Sequence, residues 1–232
     1  MRKALIELLR ADGRVRHHDP STMARVTSFF TNHVGSRLVQ DARRHPLGFF
    51  FLTEEINASL TLRFHVWPVG WAIPHGQEGS ETHDHYYELN SLIIQGSLHQ
   101  KTFRTIDDMC GTHDILEVDN ATASSSLRCT GRKTNLDVVT EDTFGVGTAY
   151  RLESGLPHYV EVKERPSATL VLSVKSENAP PARVFVPTHL AAPGEFVRAR
   201  LTQAELKDAQ TAINGLRRSP PESCAEDRSF TI

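Results

Sequence analysis

Residues 74–103 read PHGQEGSETHDHYYELNSLIIQGSLHQKTF, and both the fold and the chemistry turn on this stretch. Side chains alternate on an extended chain, so His83 and His85, one residue apart, point to the same side, where two imidazoles can meet one metal ion. Neutral imidazole is the commonest transition-metal ligand, and a pair supplies only part of a site. The best candidate for a third ligand is His158, in GTAYRLESGLPHYVEV (147–162), where a glycine-containing turn delivers it to the start of another strand.

Around this stretch the chain has the texture of β-structure. From Leu47 onward, short β-branched and aromatic runs are punctuated by Gly, Asn, Asp and Pro. Strands are expected at 48–53, 60–67, 82–87, 91–97, 99–105, 114–118, 125–130, 135–140, 147–152, 158–163, 168–175 and 183–187. No helical periodicity interrupts them, which excludes a parallel β-α-β plan. Helices are expected at both ends. Leu5, Leu8 and Leu9 have helical spacing over 3–10, with Gly13 as a stop. Asp19 caps a second helix with Pro20 at its first position. Met23, Val26, Phe29, Phe30 and Val34 form its apolar stripe, Gly35 lies near its end, and such helices pack on the outside of a sheet. Thr202 and Glu205 form a capping box before Leu206, Ala209, Ala212, Ile213 and Leu216. The expected organisation is a helical segment over 1–44, a β-domain over 45–190, a C-terminal helix over 191–218 and a polar, disordered tail over 219–232.

Composition narrows the function classes. The 232 residues are 39% hydrophobic, enough for a sizeable core, and the formal charge of −2 offers no case for nucleic acid or an anionic membrane as partner. No apolar run approaches the roughly 18 residues of a spanning helix, and MRKALIELLRADGR is too charged for a secretory signal. A cytoplasmic location is the expectation. Cys110, Cys129 and Cys224 lack the paired spacing of a zinc site and are odd in number, so they read as ordinary thiols.

The histidine motifs and the strand pattern together identify the chain as similar to the cupin superfamily. Gly76, His83, His85, Asn90 and Gly96 follow that superfamily's first motif, with Asn90 where a Glu is usual. Gly147, Gly155 and His158 follow the second, with Glu153 in place of a proline and Val162 in place of a later Asn. The resemblance covers about residues 45–190 and implies an all-β cupin fold, a jelly-roll β-barrel, here with flanking N- and C-terminal α-helices. Within the superfamily the segment HDHYYELNSLIIQGSLHQKTF most resembles cysteine dioxygenase and related thiol dioxygenases. That resemblance implies a mononuclear Fe(II) held by His83, His85 and His158, with O2 as co-substrate. By ligand chemistry alone, nickel or another divalent transition metal suits the same imidazoles.

Several positions depart from the cysteine dioxygenase pattern. Asn90 stands where many members carry a cross-linked Cys, Lys175 where its Tyr partner falls, and Ser173 where a hydrogen-bonding His falls. The carboxylate-clamping arginine of that family aligns near Phe51. Replacements are available on 60–67, where Arg63, His65 and Trp67 share one face and Arg63 can hold a carboxylate in a bidentate fork. Asn90, Tyr87 and Lys175 are therefore the catalytic candidates, Arg63, His65 and Ser173 the substrate-binding ones, and Glu88 is the rival to Asn90 as a fourth metal ligand. His75, His99 and His113 read as surface or turn residues. The leading expectation is a non-haem iron oxygenase acting on a small amino acid or thiol, in the manner of cupins of specialised metabolism. The alternatives are a metal-dependent isomerase or lyase and a non-catalytic ligand-binding cupin. A homodimer is the expected assembly, built on an exposed edge strand.

Overall fold

A computed structural model describes residues 2–10, 15–120, 124–175 and 179–218. The helix-spaced leucines form α1 (Arg2–Arg10). Asp19 caps α2 (Pro20–Asp41), its carboxylate accepting from the Ser21 and Thr22 N–H groups, which are orphan donors of the first turn. The helix does not end near Gly35. It continues to Asp41, and the bare Cα of Gly35 faces Ile213 and Arg217 of α3 (Gln203–Arg218), so the missing side chain leaves room between helices. The Thr202 hydroxyl and the Glu205 carboxylate cap α3 reciprocally, as the motif predicts.

The larger sheet is antiparallel throughout. Its strands, in spatial order, are β1 (Val15–His17), β9 (Thr148–Leu152), β5 (Tyr87–Gln95), β11 (Ser167–Lys175), β4 (Leu60–Trp67), β3 (Phe50–Asn57) and β2 (Arg43–Arg44). The smaller sheet runs β10 (His158–Val162), β6 (Leu98–Asp107), β8 (Ser124–Phe144), β7 (His113–Asn120) and β12 (Arg183–Pro187), with the short β13 (Phe196–Val197) also paired to β8. The two runs expected at 125–130 and 135–140 are one 21-residue strand. Gly131, with positive φ, bulges in it without ending it, because β7 pairs with its first half and β6 with its second. The expected strand at 82–87 is not regular. Only its extended course survives, and β5 begins at Tyr87.

Alternation along its strands gives the larger sheet a core on each face. Leu62, Phe64, Leu92, Ile94, Leu170 and Leu172 face outward from the larger sheet and bury Val26, Phe30, Val34, Leu9, Ile213 and Leu216 of the helices. A fully buried side chain of this size contributes about 1.5–3 kcal/mol. On the inward face, Tyr87, Leu89, Ile93, Tyr150 and Val171 meet Leu98 and Phe144 of the smaller sheet. The molecule is thus an all-β jelly-roll of two facing sheets with helices at both ends, and the sheets are not joined into the closed barrel expected from the motifs. Among the described residues no helix is long and apolar enough to cross a membrane. Cys110 and Cys129 are free and exposed, while Cys224, Gly13 and the 219–232 tail lie outside the described residues.

Gly96 links the sheets at the turn between β5 and β6. Its φ is +73°, and an added Cβ would overlap the Ser167 hydroxyl and come within 2.9 Å of the Glu164 carbonyl oxygen. Gly131 has nearly the same φ, +72°, with open space around it. Gly131→Ala therefore costs only the left-handed strain, about 1 kcal/mol, and Gly96→Ala about 3 kcal/mol because overpacking adds to it. Denaturant midpoints of the two variants check this ranking.

Candidate metal centre

One backbone ladder brings the histidine motifs together. The His83 N–H donates to the His158 carbonyl at 3.0 Å, and the His158 N–H donates back at 2.8 Å. On the other side, the Asp84 N–H donates to the Arg183 carbonyl and the Phe185 N–H to that of Thr82, both at 2.9 Å. Residues 82–84 thus fill the gap between β10 and β12, the outer strands of the smaller sheet.

Alternation then sends His83 and His85 inward and Asp84 to the opposite side. Asp84 is 2% exposed, and its carboxylate accepts from the Arg183 backbone N–H at 2.6 Å and from Nε at 2.7 Å. The same guanidinium donates to the Gly155 carbonyl at 3.2 Å, and the Gly155 N–H donates to the His85 carbonyl at 2.8 Å. One arginine therefore ties the His-Asp-His segment to the turn that delivers His158. Burial pushes the Asp84 carboxyl above its usual value, and Arg183 opposes that shift.

The three imidazoles converge with ring centroids 4.6–5.1 Å apart and ligand nitrogens within 4.8 Å of one another. The Nε2 atoms of His83 and His158 stand 3.3 Å apart. Two nitrogens about 2.1 Å from one ion, at right to tetrahedral angles, would be about 3.0–3.4 Å apart. His83 Nδ1–H donates to the Glu81 carbonyl at 2.9 Å, which leaves the Nε2 lone pair for a metal. Burial lowers the pKa of all three, so they are neutral and ligand-competent at neutral pH. The residues fit a divalent ion held by His83, His85 and His158.

The fourth-ligand candidates do not reach this point. β5 alternates without a break, so the side shared by Tyr87, Leu89 and Ser91 excludes Glu88 and Asn90. Asn90 faces the helical layer, where its Nδ2 donates to Glu88 Oε1 at 2.9 Å, and Glu88 also pairs with Arg151. Lys175 ends β11 exposed to solvent. The catalytic expectations for Asn90 and Lys175 are thereby corrected by strand parity and exposure.

The other candidates line the inner wall. Tyr87 stacks on His85 with centroids 4.8 Å apart. Arg63 Nε donates to Ser173 Oγ at 2.8 Å, and the guanidinium lies 4.7 Å over the Tyr87 ring. Burial raises the Tyr87 pKa, keeping it a phenol. His65 sits between Phe49 and Trp67, and burial, followed by the Arg63 charge, lowers its pKa to about 3. Three neighbours escaped the sequence reading. His45 stacks on Phe49 and is held neutral chiefly by burial, with the Arg198 and Arg63 charges acting in the same direction. The Gln100 Oε1 is buried with no partner among the described residues. Arg198 arrives on the chain after the β-domain, where only the alternation Phe196, Val197, Arg198 hints at an inward side chain. His75 is exposed, and His99 pairs with Glu141 and Thr143 outside the centre.

A scan against protein families found no match, and neither did a search of curated proteins. Among solved structures, oxalate decarboxylase from Bacillus subtilis is 16% identical, with 69% of this chain and 30% of that chain covered and a TM-score of 0.34. A vicilin from Solanum melongena is 8% identical over 66% of this chain and 34% of that one, with a TM-score of 0.37. This chain thus spans about a third of the length of either. At such scores the fold assignment rests on the strand topology itself. The described architecture and site are an all-β jelly-roll with a three-histidine cluster suited to a divalent metal.

Two measurements test the supporting groups. Asp84→Asn leaves Arg183 without its counter-charge, costing about 3 kcal/mol and lowering metal affinity roughly 10- to 100-fold. Denaturation and competitive metal titration read the two effects. His65 takes up a proton more readily in the unfolded chain, at its ordinary 6.5, than in the fold, at about 3. Its contribution to stability is present above 6.5 and is lost as pH falls from there towards 3. The denaturant midpoint of the metal-free protein declines over that window, and His65→Phe flattens the decline.

Proposed function

We propose that the protein is a non-haem iron oxygenase whose substrate, a small amino acid or thiol, binds at the metal position between the sheets. The observation that carries this reading is the make-up of the donor set: three neutral imidazoles, with Asn90 and Glu88 turned to the other face of β5. Without a carboxylate ligand the bound ion retains its full double charge, which favours an anionic ligand such as a thiolate and lowers its pKa. Iron(II) at this position supplies open coordination sites for the substrate and for O2. The protein's own residues orient and enclose. Tyr87, stacked on His85, presents a phenolic proton beside the metal position. Arg63, steadied by Ser173, offers a fixed cation for a substrate carboxylate. Trp67 and Phe49, 8% and 5% exposed, pack against His65 and shield it from water. A cytoplasmic location accords with this chemistry, since a reduced thiol substrate is stable there.

The neutral imidazoles of His45 and His65 favour a second reading, a metal-dependent lyase or isomerase in which one of them accepts a proton while the ion polarises the substrate. Oxygen separates the two. The oxygenase consumes O2 with cysteine or a related thiol acid and is silent anaerobically, whereas anaerobic turnover with no O2 uptake establishes the second reading instead.

His158→Ala removes one of three ligands. Purified without added metal, the variant is expected to contain less than about a tenth of the parent's metal, because each ligand lost costs at least an order of magnitude in affinity. Elemental analysis beside an oxygen electrode measures both consequences, and full metal content in the variant overturns the ligand assignment.

A further inference from the structure

The inner face of the smaller sheet carries a polar pair that the metal centre leaves unused. Residues directly opposite in an antiparallel ladder share a face, so the registers of β10, β6 and β8 define rows across the sheet. The first row contains His158, Thr102 and Thr140, and the two threonine hydroxyls hydrogen-bond each other at 2.7 Å. The second contains Val160, Gln100 and Asp142, and the third Val162, Leu98 and Phe144. Leu98 and Phe144 pack in the inner core with Ile93 and Tyr150, so the side shared by all three rows is the inner one.

Gln100 thus lies one row from a metal ligand. It is 4% exposed, and its Oε1 is buried with no hydrogen-bond partner among the described residues. The hydroxyl two residues along the strand, on Thr102, is already engaged with Thr140. A buried oxygen without a donor is costly, and native structures keep such groups where something bound completes them. Asp142, opposite Gln100, is the one exposed residue of the three rows, which marks the place where the inner face opens to solvent. The cations of the same strands point the other way, with Lys101 and His99 paired to Glu141 on the outer face. Asp142 has no such partner among the described residues, and no hydrogen bond joins it to Gln100. Opposed side chains of this kind have Cβ atoms about 4.5–5.5 Å apart, so an amide oxygen and a carboxylate stand side by side as acceptors. Two acceptors with no donor between them fit a group that carries several N–H bonds and a positive charge, a primary ammonium.

We propose that Gln100 and Asp142 form an ammonium subsite beside His158, so that the substrate carries both a thiolate and a primary amine. The proposal deepens the reading given above by fixing the substrate class, and it rests on that reading for the thiolate end.

The experiment uses the full chain loaded with zinc, which binds thiolates without turnover. Calorimetric titration compares cysteamine with 1-propanethiol, which has a methyl group in place of the amine, and follows the ratio of the two affinities. The parent is expected to prefer cysteamine by about tenfold or more. Gln100→Met should cut this preference by about tenfold and leave propanethiol binding unchanged. Because it removes an unpaired buried amide, it should not lower the denaturant midpoint. Asp142→Asn, at an exposed position, should cut the preference several-fold, and its effect should shrink as salt is raised. Equal affinity for the two thiols in the parent overturns the subsite and leaves the thiol reading standing, as does an undiminished preference in either variant. A loss in Gln100→Met shared equally by both thiols, with a lower midpoint, also overturns it, because packing then accounts for the residue. Zinc-loaded protein that binds neither thiol overturns the underlying reading and the subsite with it.

Discussion

The contact between Asp84 and Arg183 is the constraint on which the site depends. A two-residue alternation delivers His83 and His85 to one side only if the residue between them has a reason to point the other way. The buried carboxylate supplies that reason, and Arg183 makes its burial tolerable. Because the same guanidinium reaches the Gly155 carbonyl, it also fixes the turn that carries His158. The ligands thus owe their convergence to an ion pair on the far side of the strand from the chemistry.

Inside the chamber, electrostatics and exclusion of water work together. Burial keeps His83, His85 and His158 neutral, and it does the same for His45 and His65, while Arg63 beside Tyr87 keeps a permanent charge. Several polar groups there position one another: Ser173 accepts from Arg63, the Arg63 guanidinium lies over the Tyr87 ring, and Tyr87 in turn stacks on His85. A wall of interlocked side chains with a fixed field favours one orientation of a small anion over its alternatives.

Much of this was legible in the sequence, for identifiable reasons. Period-two alternation placed His83 with His85 and Arg63 with His65, and the glycine-bearing turn pointed to His158. Both are local properties of an extended chain. Asp19, Pro20, Thr202 and Glu205 announced the helix starts because capping is also local. Parity could have rejected Asn90 as a ligand, since it lies an odd number of residues from His85, but spacing in a family motif outweighed it. What stayed hidden depends on long-range pairing. Nothing near Gly131 indicates that β8 continues through it, because that is decided by β6 and β7. Nor do the residues around Arg198 disclose that the chain after β13 pairs back onto β2.

The ladder between His83 and His158 joins positions 75 residues apart in the chain. An ion bound to both would act as a clip on the polypeptide as well as a reagent. It would close a long loop and remove much of the conformational freedom that the unfolded chain would otherwise regain. The entropy of a large part of the β-domain would then be tied to metal occupancy, making the supply of metal in the cell a determinant of how long each folded copy survives.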